Sequence, residues 1–266
     1  MRTKKLQFAL LLAFTLSVCA FLIVPVVLSV MAGLTVNYFV GIKSGLTLRW
    51  IIEVWQSYGD TIFRSIGLSI ACLLITLLLG VPTAYVLSRH QNHWTRAIEE
   101  LLVMPIAVPG LATALALIVT YGGVPGFRTS WAFILVGHVL FTLPFMVRSV
   151  LAVLVAIDLK TLEEGAASLG AGFRQRFFHV VLPSCRGGIL AGSLMVITLS
   201  MGEFNMTWLL HTPFTKTLPV GLADAYASLR LEIGSAYTLI FFMMLVPLLL
   251  GMQALTRQRT RSFVSQ

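Results

Sequence analysis

Hydrophobic and polar positions alternate along this chain in long blocks. Six apolar stretches, over residues 6–31, 62–86, 101–120, 131–147, 189–210 and 235–255, are each close to the roughly 20 residues a helix needs to cross a hydrocarbon core. Between the fourth and fifth lies the one long polar interruption, residues 158–183, and it keeps a period of its own. Leu159, Leu162, Ala166 and Leu169 recur at steps of three, four and three, the spacing of one helix face, while Lys160, Glu163 and Glu164 point elsewhere. This pattern predicts a short amphipathic helix with Asp158 as its N-cap and Gly170 where a left-handed C-terminal cap is wanted. Phe173, Phe177 and Val180 outline a second short helix, which Pro183 closes before the next apolar run. The expected protein is all-α and integral to a membrane, with six transmembrane helices and a helix-turn-helix held in the aqueous phase.

Composition narrows the picture. The 266 residues are 58% hydrophobic and only 11% charged, with mean hydropathy +0.91, whereas charge makes up roughly a quarter of a soluble domain. Little is left for a soluble domain, so residues 1–266 are read as a single transmembrane domain. The net charge of +9 would suit nucleic acid, but its placement argues otherwise. Arg2, Lys4, Lys5, Arg89, Arg96, Arg148, Lys160, Arg174, Arg176, Arg186, Arg257, Arg259 and Arg261 put 13 of the 19 basic residues on the side of the N-terminus. The other six, Lys43, Arg49, Arg64, Arg128, Lys216 and Arg230, fall on the opposite side. By the positive-inside rule both termini and the 158–183 loop are cytoplasmic, and the basic balance reads as topology, with no nucleic-acid partner. Cys19, Cys72 and Cys185 are three and unevenly spaced, which supports neither a disulfide framework nor a metal site. The first apolar stretch exceeds the roughly 7 to 15 residues of a signal core, so it is read as an uncleaved span.

Two spans carry residues an ordinary span avoids. The third holds Pro105, Pro109 and Gly110; each proline removes a backbone donor and crowds the preceding turn, so this helix should bend or break, as membrane helices do where they line a path or are buried in protein. The fifth holds Ser200, Gly202, Glu203 and Asn205. A carboxylate in a span costs about 3 kcal/mol by insertion scales and should face protein or water. Glu203 and Asn205 are therefore candidates to line a solute path, with Ser200 and Gly202 giving backbone room; the competing reading is a structural Glu that caps backbone or pairs with a neighbour. His138, in the fourth span, is read as a satisfied core histidine. Outside the membrane, residues 32–60 and 211–234 are read as outer segments and residues 88–96 as a cytoplasmic turn. The chain has no phosphate-cradling Gly-x-x-x-x-Gly-Lys-Ser/Thr sequence, so active transport would require ATP hydrolysis by another chain.

The 158–183 loop resembles that of the permease subunits of binding-protein-dependent ABC importers, type I fold. The resemblance rests on Glu164-Gly165-Ala166, then Gly170, then Leu182-Pro183, where the family carries Glu-Ala-Ala, Gly and Leu-Pro; Gly165 departs from the first Ala. It implies that Glu164, Gly165, Ala166, Gly170, Ala171, Leu182 and Pro183 belong to a cytoplasmic coupling loop docked in an ATPase, with Glu164 meeting a basic group there. It implies as partners an ABC ATPase dimer carrying ATP and magnesium, a second permease chain of different sequence, an external solute-binding protein and the bacterial inner membrane, with no cofactor on this chain. The segment from Gly45 to Trp50 resembles polyamine-type permeases, and residues 201–204 resemble phosphonate and oxyanion members. An intramembrane acid favours a cationic or zwitterionic solute. The rival reading is a secondary transporter or channel in which Glu203 relays protons or ions.

Overall fold

The structure, a computed structural model, describes residues 2–90 and 92–264, and not the side chains of residues 2–4 and 252–264. The side chains of Arg2, Lys4, Arg257, Arg259 and Arg261, which enter the charge count, lie outside the described residues. A membrane-length apolar run leaves backbone polar groups no partner but one another, and the result is helix throughout. In order the helices are α1 (Arg2–Ala32), α2 (Arg49–Arg89), α3 (His93–Ala107), α4 (Gly110–Tyr121), α5 (Trp131–Ala156), α6 (Leu159–Ser168), α7 (Phe173–Arg176), α8 (Leu182–Ser184), α9 (Arg186–Gly202), α10 (Asn205–Leu210), α11 (Leu218–Ala227) and α12 (Leu231–Val264). A π turn, Phe177–Val181, joins α7 to α8. Among the described residues no strand forms; one isolated bridge pairs Thr35 with Leu46. Among the described residues, stretches within α1, α2, α5 and α12 are long and apolar enough to cross a bilayer; α3 with α4, and Phe173–Ser184 with α9, are apolar enough only as pairs, bent by 103° and 68°, which makes up to six spans if each bent pair is one.

Several boundaries move from those expected. The first outer segment is shorter, because α2 already begins at Arg49, whose amide donates to the Thr47 hydroxyl at 3.1 Å. α3 begins at His93, ahead of the expected residue 101: Asn92 accepts from the Thr95 amide and the Thr95 hydroxyl accepts from the Asn92 amide, a reciprocal cap. α5 runs on past Val147 to Ala156, carrying Arg148 on an exposed face. The segment expected to be an outer loop over residues 211–234 contains α11.

The chain divides into two compact units, residues 1–59 with 221–244 and residues 60–220 with 245–266. In the first, α1 leaves Phe8, Phe14 and Phe21 at 68%, 71% and 80% exposure, the aspect of a helix surrounded by lipid. A knot of polar contacts fastens the segment after it: the Trp50 indole donates to the Thr35 carbonyl at 2.9 Å, the Tyr38 amide to the Glu232 carboxylate at 2.9 Å, and Arg230 pairs with Glu53 at 2.8 Å.

The second unit is built on α5 against α9. Their approach depends on Gly188 and Gly192, four apart on one face of α9, the small-residue spacing that lets membrane helices meet closely. A Cβ at Gly188 would lie 2.4 Å from the Ser149 carbonyl oxygen, and one at Gly192 2.8 Å from Met146 Sδ. Overpacking of this kind costs about 1–3 kcal/mol where neighbours are side chains, and backbone cannot give way as they do. Gly188→Leu is therefore expected to lower the melting temperature of the detergent-extracted chain and its yield from membranes; an unchanged melting curve would contradict this packing.

Candidate functional site

The 158–183 loop is assembled from its caps inward. Asp158 accepts from the Thr161 hydroxyl at 2.6 Å and the Thr161 amide at 3.3 Å, and these two bonds, the hydroxyl's first, hold its carboxyl below the ordinary value. At the other end Gly170 has φ +86°, its amide donates to the Ala167 carbonyl, and the Ala171 amide reaches back to the Ala166 carbonyl at 3.1 Å. These two bonds form a Schellman cap, so Ala166, Gly170 and Ala171 are joined by one hydrogen-bond pattern. Both predicted caps are present.

The predicted apolar face is not the buried one. Leu159 is buried, but Leu162 is 48% and Leu169 90% exposed, while Glu163, expected to point away, is 1% exposed. A Cβ added at Gly165 or Gly170 would meet nothing within 4 Å, so neither is small for the sake of its own chain's packing. Glu164 is exposed and pairs with Lys160 at 3.8 Å, a contact of little energetic weight. The loop thus turns two leucines, two glycines and an acid outward. Pro183 does not close the second helix either, which runs to Ser184. The proline ring would collide with the carbonyl four residues back, and the π turn just before it widens the ladder where that collision would fall.

Glu163 turns inward because α2 offers it partners. The Tyr85 hydroxyl donates to Glu163 Oε1 at 2.8 Å, Arg89 Nε lies 3.6 Å from Glu163 Oε2, and the Arg89 guanidinium also donates to the Tyr85 oxygen at 2.9 Å. The Tyr85 ring meets Phe177 edge-on at 5.5 Å and Phe173 at 6.3 Å. One residue of α2 therefore touches both arms of the loop. Sequence reasoning missed this joint; its signal was Tyr85 and Arg89 four apart at the end of a span, on one face, opposite a pair of adjacent acids.

The two irregular spans break at a common place. The third breaks after Ala107, with Pro109 capping α4, while Pro105 is accommodated inside α3. The fifth, expected to continue to residue 210, stops at Gly202; Glu203 is extended, at φ −71° and ψ 117°, and α10 starts anew. Glu203 makes this break tenable. Its Oε1 accepts from the Met206 amide at 3.0 Å, and its Oε2 accepts from the Thr207 amide and hydroxyl, each at 3.0 Å. At the far end of α10 Arg128 donates to the carbonyls of Leu210 and Leu209, at 2.8 and 3.1 Å. An acid at the start and a guanidinium at the end both match the helix dipole. Behind α10, fully buried His138 bridges Ser200 and Thr207, each at 2.8 Å. The Thr207 proton goes to Glu203, so Nε2 is the donating ring nitrogen and Nδ1 accepts from Ser200. A Cβ on Gly110 would lie 3.5 Å from Glu203 Oε1 and 3.5 Å from Asn205 Cβ. The structure thus brings together Gly110, Glu203 and Asn205 from two spans. Pro109, Gly202 and Asn205 are exposed, Pro105, Gly110 and Glu203 half-buried, and Ser200 buried behind them.

Comparison with known proteins gives one consistent pattern. Residues 80–262 match the family model described as binding-protein-dependent transport system inner membrane component. The chain is 27% identical over 224 residues to the sulfate transport permease CysW of Synechocystis, covering 77% of this chain and 80% of the relative. It is 28% identical to the molybdenum transport permease ModB of Escherichia coli, over 62% and 76% of the two chains, and 24% identical to PhnV of Salmonella typhimurium, a permease assigned by name to 2-aminoethylphosphonate transport, over 75% of each. Among solved structures, a chain of a bacterial alginate ABC transporter in complex with its periplasmic protein superposes with TM-score 0.75 at 18% identity, covering 96% of this chain and 95% of the other.

Proposed function

The chain belongs to the family of binding-protein-dependent transport system inner membrane components and is the permease subunit of an ABC importer with the type I fold; from that premise we propose how its parts are used. Residues 1–266 act as one permease domain that pairs with a second, different permease chain and alternates access between the two sides of the inner membrane. Both termini and the 158–183 loop face the cytoplasm, the side on which the basic residues gather. The loop docks in an ATPase through Glu164, Gly165, Ala166, Gly170 and Ala171, with Leu182 and Pro183 setting its return to the membrane. What supports this is the outward set of Leu162, Gly165, Leu169 and Gly170 on a helix capped at both ends: a rigid apolar surface that its own chain leaves uncovered. ATP and magnesium belong to the ATPase dimer, and solute arrives on an external binding protein.

The solute path runs along Pro105, Pro109, Gly110, Gly202, Glu203 and Asn205, where two broken spans meet, with Ser200 in support. Its cargo is a small polar solute. A polyamine or an aminoethylphosphonate-like compound is favoured, because a carboxylate in the path tolerates a cationic or zwitterionic solute better than an oxyanion. An ion relay fits Glu203 less well, because a relay needs a free carboxylate and both oxygens here accept from α10. Mild-detergent extraction of the tagged chain from its own membrane tests the reading. The expected result is co-purification of an ATPase and a second permease; recovery of this chain alone, with uptake into liposomes driven by an ion gradient, would overturn it.

A further inference from the structure

The loop that meets the ATPase must also move the spans, and it does so through the side chains at its base. α6 lies chiefly against α7 and the π turn, elements of the loop itself. Beside it, Ser88, Arg89, His90 and residues 154–160 line an open cleft of about 610 Å³ instead of a packed wall. Leu159 and Val181 of the loop are buried in one apolar cluster with Leu87 and Leu154 of the spans, and beside it the polar and aromatic contacts gather on Tyr85 of α2: its hydroxyl on Glu163 of α6 at 2.8 Å, its ring on Phe173 and Phe177 of the second arm. Phe173 and Phe177 are themselves stacked, 6.1 Å between centroids, so the ring of Tyr85 meets a preformed aromatic pair. Glu163 is 1% exposed, its Oε2 has no hydrogen-bond donor among the described residues, and Arg89 supplies the nearby positive charge at 3.6 Å. Breaking such a buried acid from its partners is costly, whereas displacing it together with them is not. A displacement of α6 therefore carries the end of α2 with it.

We propose that Tyr85 and Glu163, with Arg89 as counter-charge, form the joint through which movement of the 158–183 loop is passed to span α2; they are positioning residues, distinct from the outward residues that dock. This rests on the coupling role proposed above for that loop. The test uses the complex purified from its own membrane through the tagged chain, with Cys19→Ser removing the exposed native thiol and Val86→Cys, at a position 52% exposed beside Tyr85, as reporter. Maleimide labelling is measured with and without ATP, magnesium and vanadate. With the joint intact the labelling rate changes on nucleotide trapping. In Tyr85→Phe, which keeps the ring, and in Glu163→Gln, the ATPase is expected to co-purify and hydrolyse ATP as before, while the nucleotide-dependent change in labelling falls about tenfold or more, the factor expected from losing a hydrogen bond to a charged acceptor. A merely structural role would move assembly and response together. Both variants responding like the parent would overturn the joint alone; a parent chain that retains no ATPase would overturn the coupling role and the joint with it.

Discussion

A chain carrying Gly170→Asp is expected to insert in the membrane at its normal level and to come out of it without an ATPase. Gly170 sits at φ +86° with open space where a Cβ would stand. A side chain there meets nothing in its own protein, and the backbone strain is limited, since Asp and Asn enter the left-handed region more readily than other residues with a Cβ. What changes is the outward face. The new carboxylate stands at the C-terminal end of α6, where the helix dipole is already negative, and next to Leu169, the most exposed apolar side chain of the loop at 90%. If that face is buried against a partner, an unmatched charge within it costs about 2–5 kcal/mol, enough to lower affinity by a factor of about thirty or more. Gly170→Ala separates the two effects: it carries the backbone strain of about 1–2 kcal/mol without the charge, and should keep most of the ATPase in a pull-down. A Gly170→Asp chain that retains and stimulates its ATPase like the parent would refute docking through this face.

What could be read from the sequence, and what could not, follows from how local each cause is. Asp158 and Gly170 were legible as caps because a cap is decided within one turn of backbone. The break at Pro109 was legible for the same reason, as a missing donor and a ring collision act on the preceding turn alone, although nothing local said that Pro105 would be tolerated. The face of α6 was misread. Its period fits Leu159, Leu162, Ala166 and Leu169, yet Glu163 is the residue buried, because a tyrosine and an arginine of α2, distant in sequence, reach it. The exposed leucines show the complementary rule: an apolar stripe marks a face that wants covering, not which molecule covers it. Glu203 stood out as an acid in a span, but that it ends one helix and starts another depends on which amides turn toward it. His138 fits its reading as a core histidine, with Ser200 and Thr207 as partners that only the fold identifies.

Glu203→Ala is expected to stop uptake, and comparison with Glu203→Gln tells why. Alanine leaves the amides of Met206 and Thr207 without their acceptors, at about 1–3 kcal/mol for each donor left unsatisfied, and frees the Thr207 hydroxyl that orients His138. α10 would then keep the cap at its C-terminal end, from Arg128, and lose the one at its start. Uptake falls by more than about tenfold on that ground alone, so the alanine variant by itself does not separate a cap from a path-lining charge. Glutamine does. Its remaining carbonyl oxygen still accepts from one α10 amide, so most of the break is preserved, while the charge beside Gly110 and Asn205 is gone. If the charge faces the solute, Glu203→Gln is stably recovered with its ATPase yet transports at least about tenfold more slowly, the equivalent of about 1.4 kcal/mol, or with altered solute preference. Uptake rate and selectivity equal to the parent's in Glu203→Gln would make Glu203 a cap and nothing more, and would move the solute path away from the meeting of the two broken spans.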